Sequence, residues 1–94
     1  MQNPREIAYK TTELTKEYTK KLNELGEIKS RKAEATLRFK AECKTVGEAK
    51  LMYEASEDGV KEIKLEFYTK GLIEEIRANK LQLKIIQAEA WGVH

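Results

Sequence analysis

The sequence has few of the residues that carry most enzyme chemistry, with one cysteine, Cys43, and one histidine, His94, among 94 residues. A single cysteine excludes an intramolecular disulfide and a thiolate metal cluster within one chain. A histidine at this last position is more typical of a solvated tail than of a general base. The chain also lacks a glycine-rich phosphate-binding loop and a metal-spaced set of Cys or His. We therefore expect a protein that is not an enzyme and that binds no cofactor or metal.

Long apolar runs and helix-breaking residues are also scarce. No run approaches the roughly 20 apolar residues that span a bilayer, and no apolar core of signal-peptide length follows the first residue. We expect a soluble, cytoplasmic protein with no membrane partner. One proline, five glycines, 7% aromatic residues and 36% charged residues are typical of a charge-decorated helical protein. The hydrophobic content of 40% is too high for a disordered chain.

Capping signals divide the chain into helices. Asn3 followed by Pro4 predicts a helix start, and Thr45 with Glu48 has the spacing of a capping box that starts another. The segment Ser56–Gly59 favours a further break, although a continuous helix through a frayed point is the alternative. We predict one all-α domain over residues 1–94, built as a long helical hairpin with a short middle helix. The predicted bounds are about 4–43, 46–56 and 58–91.

Apolar residues recur every three or four positions along both long segments, which is the rhythm of packed helices. Two lysines interrupt the first seam, and we expect Leu22 to rotate into the place of Lys21. Glutamates recur four positions before a basic residue, which predicts ion pairs along single helices. These pairs include Glu17 with Lys21, Glu27 with Arg31, Glu34 with Arg38, Glu57 with Lys61, and Glu66 with Lys70.

The last helix has two apolar stripes, so it needs more than one neighbour. Two slender helices of one chain do not cover both stripes, and we therefore expect a homo-oligomer, with a dimer favoured, that forms a helical bundle or coiled coil. The residues assigned to the oligomer interface are Leu65, Leu72, Ile76, Asn79, Leu83 and Ile86. The second stripe, which motivates the expectation, consists of Ile63, Phe67, Leu81 and Ile85. A buried Asn79 would select the register of assembly, whereas at the edge of the stripe it would have no such role.

Positive charge is concentrated in the first half of the chain. Residues 1–45 carry 11 basic and 7 acidic side chains, whereas residues 46–94 carry 7 basic and 9 acidic ones. The alternative function is therefore accessory binding of single- or double-stranded nucleic acid. Glutamates interspersed among the basic residues weaken a continuous positive track. The candidate nucleic-acid contacts are Lys29, Arg31, Arg38, Lys40 and Lys44.

Three segments carry a resemblance to known proteins: the basic run Arg31–Arg38, the restart Thr45–Lys50, and the aliphatic run Tyr68–Ile86. Together they resemble a group of small phage-encoded all-helical proteins of unknown function. The resemblance implies a viral accessory protein acting in the host cytoplasm. For the alternative function it implies nucleic-acid binding in phage recombination or replication. It carries over no active-site residue. The segment Ser56–Gly59 departs from that group's pattern. The function we expect is non-enzymatic oligomerisation and protein interaction. The sequence does not distinguish this function from inhibition of a host enzyme.

Overall fold

The computed structural model describes residues 3–92, which form three α-helices and no strand. Helix α1 spans Pro4–Glu42, α2 spans Val46–Ala55 and α3 spans Glu57–Ala90. The predicted all-α hairpin with a short middle helix is confirmed. The chain breaks at Ser56, which caps the end of α2 and the start of α3. His94 lies outside the described residues.

The predicted caps form, with one change in detail. The side chain of Asn3 accepts a hydrogen bond from the Arg5 backbone N–H at 2.9 Å, and Thr45 accepts one from the Glu48 N–H at 3.1 Å. The Glu48 carboxylate accepts from the Lys44 N–H at 3.3 Å, one residue before the partner of a standard capping box. Each cap satisfies backbone N–H groups that the first turn of a helix leaves without a partner.

Helices α1 and α3 lie antiparallel, and the three helices together form a rod of 66 × 22 × 17 Å. The direction follows from two interhelical ion pairs, Lys29 with Glu66 at 3.5 Å and Lys32 with Glu62 at 3.3 Å, because the residue number rises along α1 while it falls along α3. Apolar residues of all three helices are buried between them, and the short α2 contributes two of them. These residues are Ile7, Leu25, Ile28, Ala49, Tyr53, Leu65, Leu72 and Ile76.

The prediction that Leu22 replaces Lys21 on the seam is wrong. Leu22 is exposed, whereas Lys21 is half-buried and keeps the seam position. The ammonium of Lys21 lies 5.8 Å from the ring centroid of Tyr68 and 3.4 Å from the Glu24 carboxylate. A lysine can hold this position because its alkyl stem covers apolar surface while its charge reaches an aromatic face and an acid.

The predicted ion pairs along single helices do not form within residues 3–92. Arg31 instead contacts Asp58 at 3.3 Å, and Glu66 contacts Lys29 on the facing helix. Glu17 accepts a hydrogen bond from the Tyr68 hydroxyl. Pairs four residues apart are worth only about 0.2–0.5 kcal/mol each, so a partner on a neighbouring helix can readily replace them.

Candidate interaction surface

The residues assigned to an oligomer interface lie on the side of α3 that faces α1. Leu65, Leu72 and Ile76 are buried within the single chain, and Asn79, Leu83 and Ile86 are half-buried. Leu65 forms a core cluster with Leu25 and Ile28 of α1. These side chains therefore hold the hairpin together, and their part in assembly stays a prediction.

The second stripe of α3 is open to solvent. Phe67 is 72% exposed, Leu81 60%, Ile85 52% and Ile63 44%. At about 100° per residue, these positions point about 160–200° away from Leu65 around the helix axis. We call the surface formed by Val60, Ile63, Phe67, Leu81 and Ile85 the outer face of α3. Large apolar side chains aligned on one exposed helix face are typical of a protein interaction site.

The middle of the outer face is charged. Lys70 and Glu74 follow the same helical spacing as the apolar residues on either side, with Arg77 at the edge. The ammonium of Lys70 lies 5.9 Å from the ring centroid of Phe67, and Arg77 contacts Glu74 at 3.6 Å. Glu74 and Arg77 are both largely exposed. Solvent screens such pairs, so these charges remain available to a second molecule.

A polar cluster joins the three helices behind the outer face. Glu62 of α3 is buried and pairs with Lys32 of α1, whose ammonium lies 5.2 Å from the ring centroid of Tyr53 in α2. The Tyr53 hydroxyl has no hydrogen-bond partner of standard geometry among the described residues. Burial, and then the neighbouring Glu62 carboxylate, raise the pKa of Tyr53 to about 12. The cluster joins α2 to both long helices, and it keeps Tyr53 protonated further into the alkaline range.

Sequence reasoning missed this polar cluster. Lys32 interrupts the apolar seam of α1, but nothing in the local sequence distinguishes Glu62 from the other glutamates of α3. Their pairing joins residues 30 positions apart, so no local pattern indicates it. The available signal was that a lysine on an apolar seam needs an acid or an aromatic ring opposite.

The candidate nucleic-acid contacts do not form one surface. At about 100° per residue, Lys29 and Lys40 lie on one side of α1, and Arg31 and Arg38 lie about 180° away on the other. Lys29 and Arg31 are in ion pairs with α3, whereas Lys44 lies in the turn after α1. The groove beside Arg38 is also lined by acidic residues, namely Glu42, Glu57 and Asp58.

Cys43 has little nucleophilic character. Burial, then the nearby carboxylates of Glu48 and Glu42, raise the pKa of its thiol, which lowers the thiolate fraction at neutral pH. Its sulfur lies 2.9 Å from the sulfur of Met52. Within residues 3–92, no three His, Cys, Asp or Glu side chains come together in a way that could hold a metal ion. None of the helices described is both long and apolar enough to cross a bilayer.

Comparison with known proteins found no matching family model, no matching curated protein and no matching solved structure.

Proposed function

We propose that the chain is a non-enzymatic assembly protein that acts through self-association, in a small viral accessory role. The observation that carries this proposal is the exposure of the outer face of α3 while the opposite side of the same helix is buried against α1. Exposure of a stripe of Ile, Phe and Leu to water is unfavourable, and burial of the stripe against a partner helix is favourable. The resemblance to small phage-encoded proteins supports the viral role.

The preferred partner is a second copy of the chain. A homo-oligomer with twofold symmetry uses the same surface on both subunits, and the outer face supplies apolar residues at both ends with both signs of charge between them. The face from Val60 to Ile85 is only about 39 Å long and one helix wide. Its area is small compared with the roughly 800 Å² per partner of a standard interface, so we expect a monomer–dimer equilibrium rather than a permanent dimer.

Sedimentation velocity and light scattering from low micromolar concentration to about 1 mM test the proposal. We expect the mass to rise toward twice the 10.9 kDa of one chain. Leu81→Gln should raise the dissociation constant about tenfold or more. The matched control is Leu37→Gln on α1, because Leu37 is 66% exposed, similar to Leu81, but lies on another helix. A monomer at every concentration, or equal effects of both variants, would refute self-association through this face.

Nucleic-acid binding is the competing proposal and has weaker support. Its basis is the excess of basic residues in the first half of the chain, in particular Arg38, Lys40 and Lys44, which make no ion pair within the described residues. The division of the basic side chains between opposite sides of α1 limits how many can reach one phosphate backbone.

A further inference from the structure

The centre of the outer face has a self-complementary order of side chains. Lys70 and Glu74 lie two positions before and after Leu72, and Phe67 and Arg77 lie five positions before and after it. Each pair joins chemically complementary groups: a cation with an anion, and an aromatic ring with a cation. A twofold axis brings residue i of one copy against residue j of the other, and j against i. The order of these residues therefore matches an antiparallel pair of α3 helices centred at the level of Leu72.

The apolar residues follow the same symmetry. In that register, Ile63 of one copy meets Leu81 of the other, nine positions on either side of Leu72. At the ends, Val60 lies next to Ile85 of the second copy. The apolar residues thus cover the two ends of the contact, and the charges pair in the middle.

Charge disfavours the two other simple arrangements. A parallel pair in register would place Lys70 against Lys70 and Glu74 against Glu74. An antiparallel pair centred on Glu74 would bring more apolar residues together, Ile63 with Ile85 and Phe67 with Leu81, but it would set the two Glu74 carboxylates opposite each other. Like charges that face each other across a helix pair repel and oppose association.

We propose that two copies of the chain associate antiparallel through the outer faces of α3, with Lys70 of each copy paired with Glu74 of the other. This inference rests on the proposed self-association and specifies its orientation and register. The wild-type contacts of Lys70 with Phe67 and of Glu74 with Arg77 are between exposed groups. They can be exchanged for, or shared with, the contacts to the second copy.

Charge reversal tests the pairing. Lys70→Glu and Glu74→Lys should each raise the dimer dissociation constant about tenfold or more, because each makes both central layers repulsive. The double variant K70E/E74K restores opposite charges in both layers, and its dissociation constant should return to within about threefold of wild type. In a parallel dimer, Lys70→Glu would exchange one like-charge layer for another and change little. Circular dichroism of each variant checks that the exposed substitutions leave the helices intact.

Disulfide trapping tests the register in a Cys43→Ser background. Ile63→Cys in one chain and Leu81→Cys in another should give a mixed disulfide on oxidation, because the register places these positions opposite each other. The matched control is oxidation of Ile63→Cys alone, since two copies of residue 63 would be about 27 Å apart along the helix axis. A disulfide needs Cβ atoms about 3.5–4.5 Å apart, so this control should remain uncrosslinked. A mixed disulfide between Ile63→Cys and Ile85→Cys would indicate the register centred on Glu74, because that register places residues 63 and 85 opposite each other.

The two proposals fail in different ways. A wild-type chain that stays monomeric at all concentrations up to about 1 mM overturns self-association and the register with it. A wild-type dimer that tolerates Lys70→Glu, or that crosslinks through residue 63 alone or through residues 63 and 85, overturns only the register. A dimer that loses affinity in both single variants, regains it in K70E/E74K and crosslinks residue 63 to residue 81 supports both.

Discussion

The backbone of Gly59 lies so close to Tyr53 that a Cβ atom on Gly59 would be 2.0 Å from the Tyr53 carbonyl oxygen. The same Cβ atom would lie 2.8 Å from the Cα atom of Glu54. The first turn of α3 therefore touches the last turn of α2 through bare backbone. Glycine is required here by this close approach, and the contact explains how two helices separated by a single residue, Ser56, can turn sharply.

Gly59→Ala should destabilise the fold by about 2–4 kcal/mol, because the added methyl group can be accommodated only by moving backbone. Thermal and urea unfolding followed by circular dichroism measure the loss. Gly26→Ala is the matched control, since a Cβ atom there meets nothing within 4 Å. That change, inside the exposed part of α1, should stabilise the protein by about 0.5–1 kcal/mol. Equal effects of the two substitutions would show that the helices do not meet closely at Gly59.

Ile76→Asp and Ile85→Asp should separate folding from association. Ile76 is 9% exposed and faces α1, so an unpaired carboxylate there should cost more than about 4 kcal/mol and unfold the hairpin. Ile85 is 52% exposed on the outer face. Its substitution should change the free energy of unfolding of the monomer by no more than about 1 kcal/mol while abolishing the dimer. Circular dichroism and light scattering on the same samples measure folding and association. An unfolded Ile85→Asp or a folded Ile76→Asp would contradict the assignment of Ile76 to the core and Ile85 to the interface.

Tyr53→Phe should change the stability of the protein at alkaline pH. The pKa of Tyr53 is raised from 10.0 to about 12, so the folded chain holds this proton more tightly than the unfolded chain does. Its contribution to stability is present in full below pH 10 and is lost as the pH rises from about 10 to about 12. In Tyr53→Phe, the free energy of unfolding should therefore depend less on pH between about pH 10 and pH 12.

At pH 7, Tyr53→Phe should be within about 1 kcal/mol of wild type or more stable, since it removes a buried hydroxyl group without a standard hydrogen bond. Urea unfolding across the pH range makes the measurement. Tyr9→Phe serves as the control because Tyr9 is exposed. An alkaline difference that is the same for both variants would assign the effect to some other group.

Binding of DNA should be weak and only shallowly dependent on salt. Lys29 and Lys40 lie opposite Arg31 and Arg38 on α1, so we expect no more than two or three phosphate contacts and a slope of about −2 to −3 for log affinity against log salt. Fluorescence anisotropy with single- and double-stranded DNA at several salt concentrations measures the slope. Lys40→Gln should reduce it by about 1, and Lys80→Gln on α3 is the control. A much steeper slope would favour the nucleic-acid function over self-association.

Local signals in the sequence predict the helices, although they left open a continuous helix through Ser56–Gly59. Asn3, Thr45 and Ser56 cap the three helices where backbone N–H groups need partners, and those partners lie within three residues along the chain. The hairpin also follows from the sequence, because two long amphipathic helices joined through a short one bury their seams most simply by turning back on each other.

The candidate site was only half predictable. Both apolar stripes of α3 are visible in the sequence as a period, and the second stripe contains Phe67 and Leu81, which the structure leaves exposed. The spacing of apolar residues shows that a helix face is apolar, but it does not show which of two apolar faces the neighbouring helix covers. The residues assigned to the oligomer interface, Leu65 and Leu72 among them, are the ones that α1 buries.

Contacts between residues far apart in the chain came only from the folded molecule. Lys21 rather than Leu22 lies on the seam, where its ammonium contacts the Tyr68 ring of α3, and Glu62 is buried because Lys32 lies opposite. Each depends on the rotation of one helix against another, which is set by the packing of all their side chains together. Capping residues close in sequence determine where the helices begin and end, whereas packing between the helices determines which face is buried and which polar groups pair.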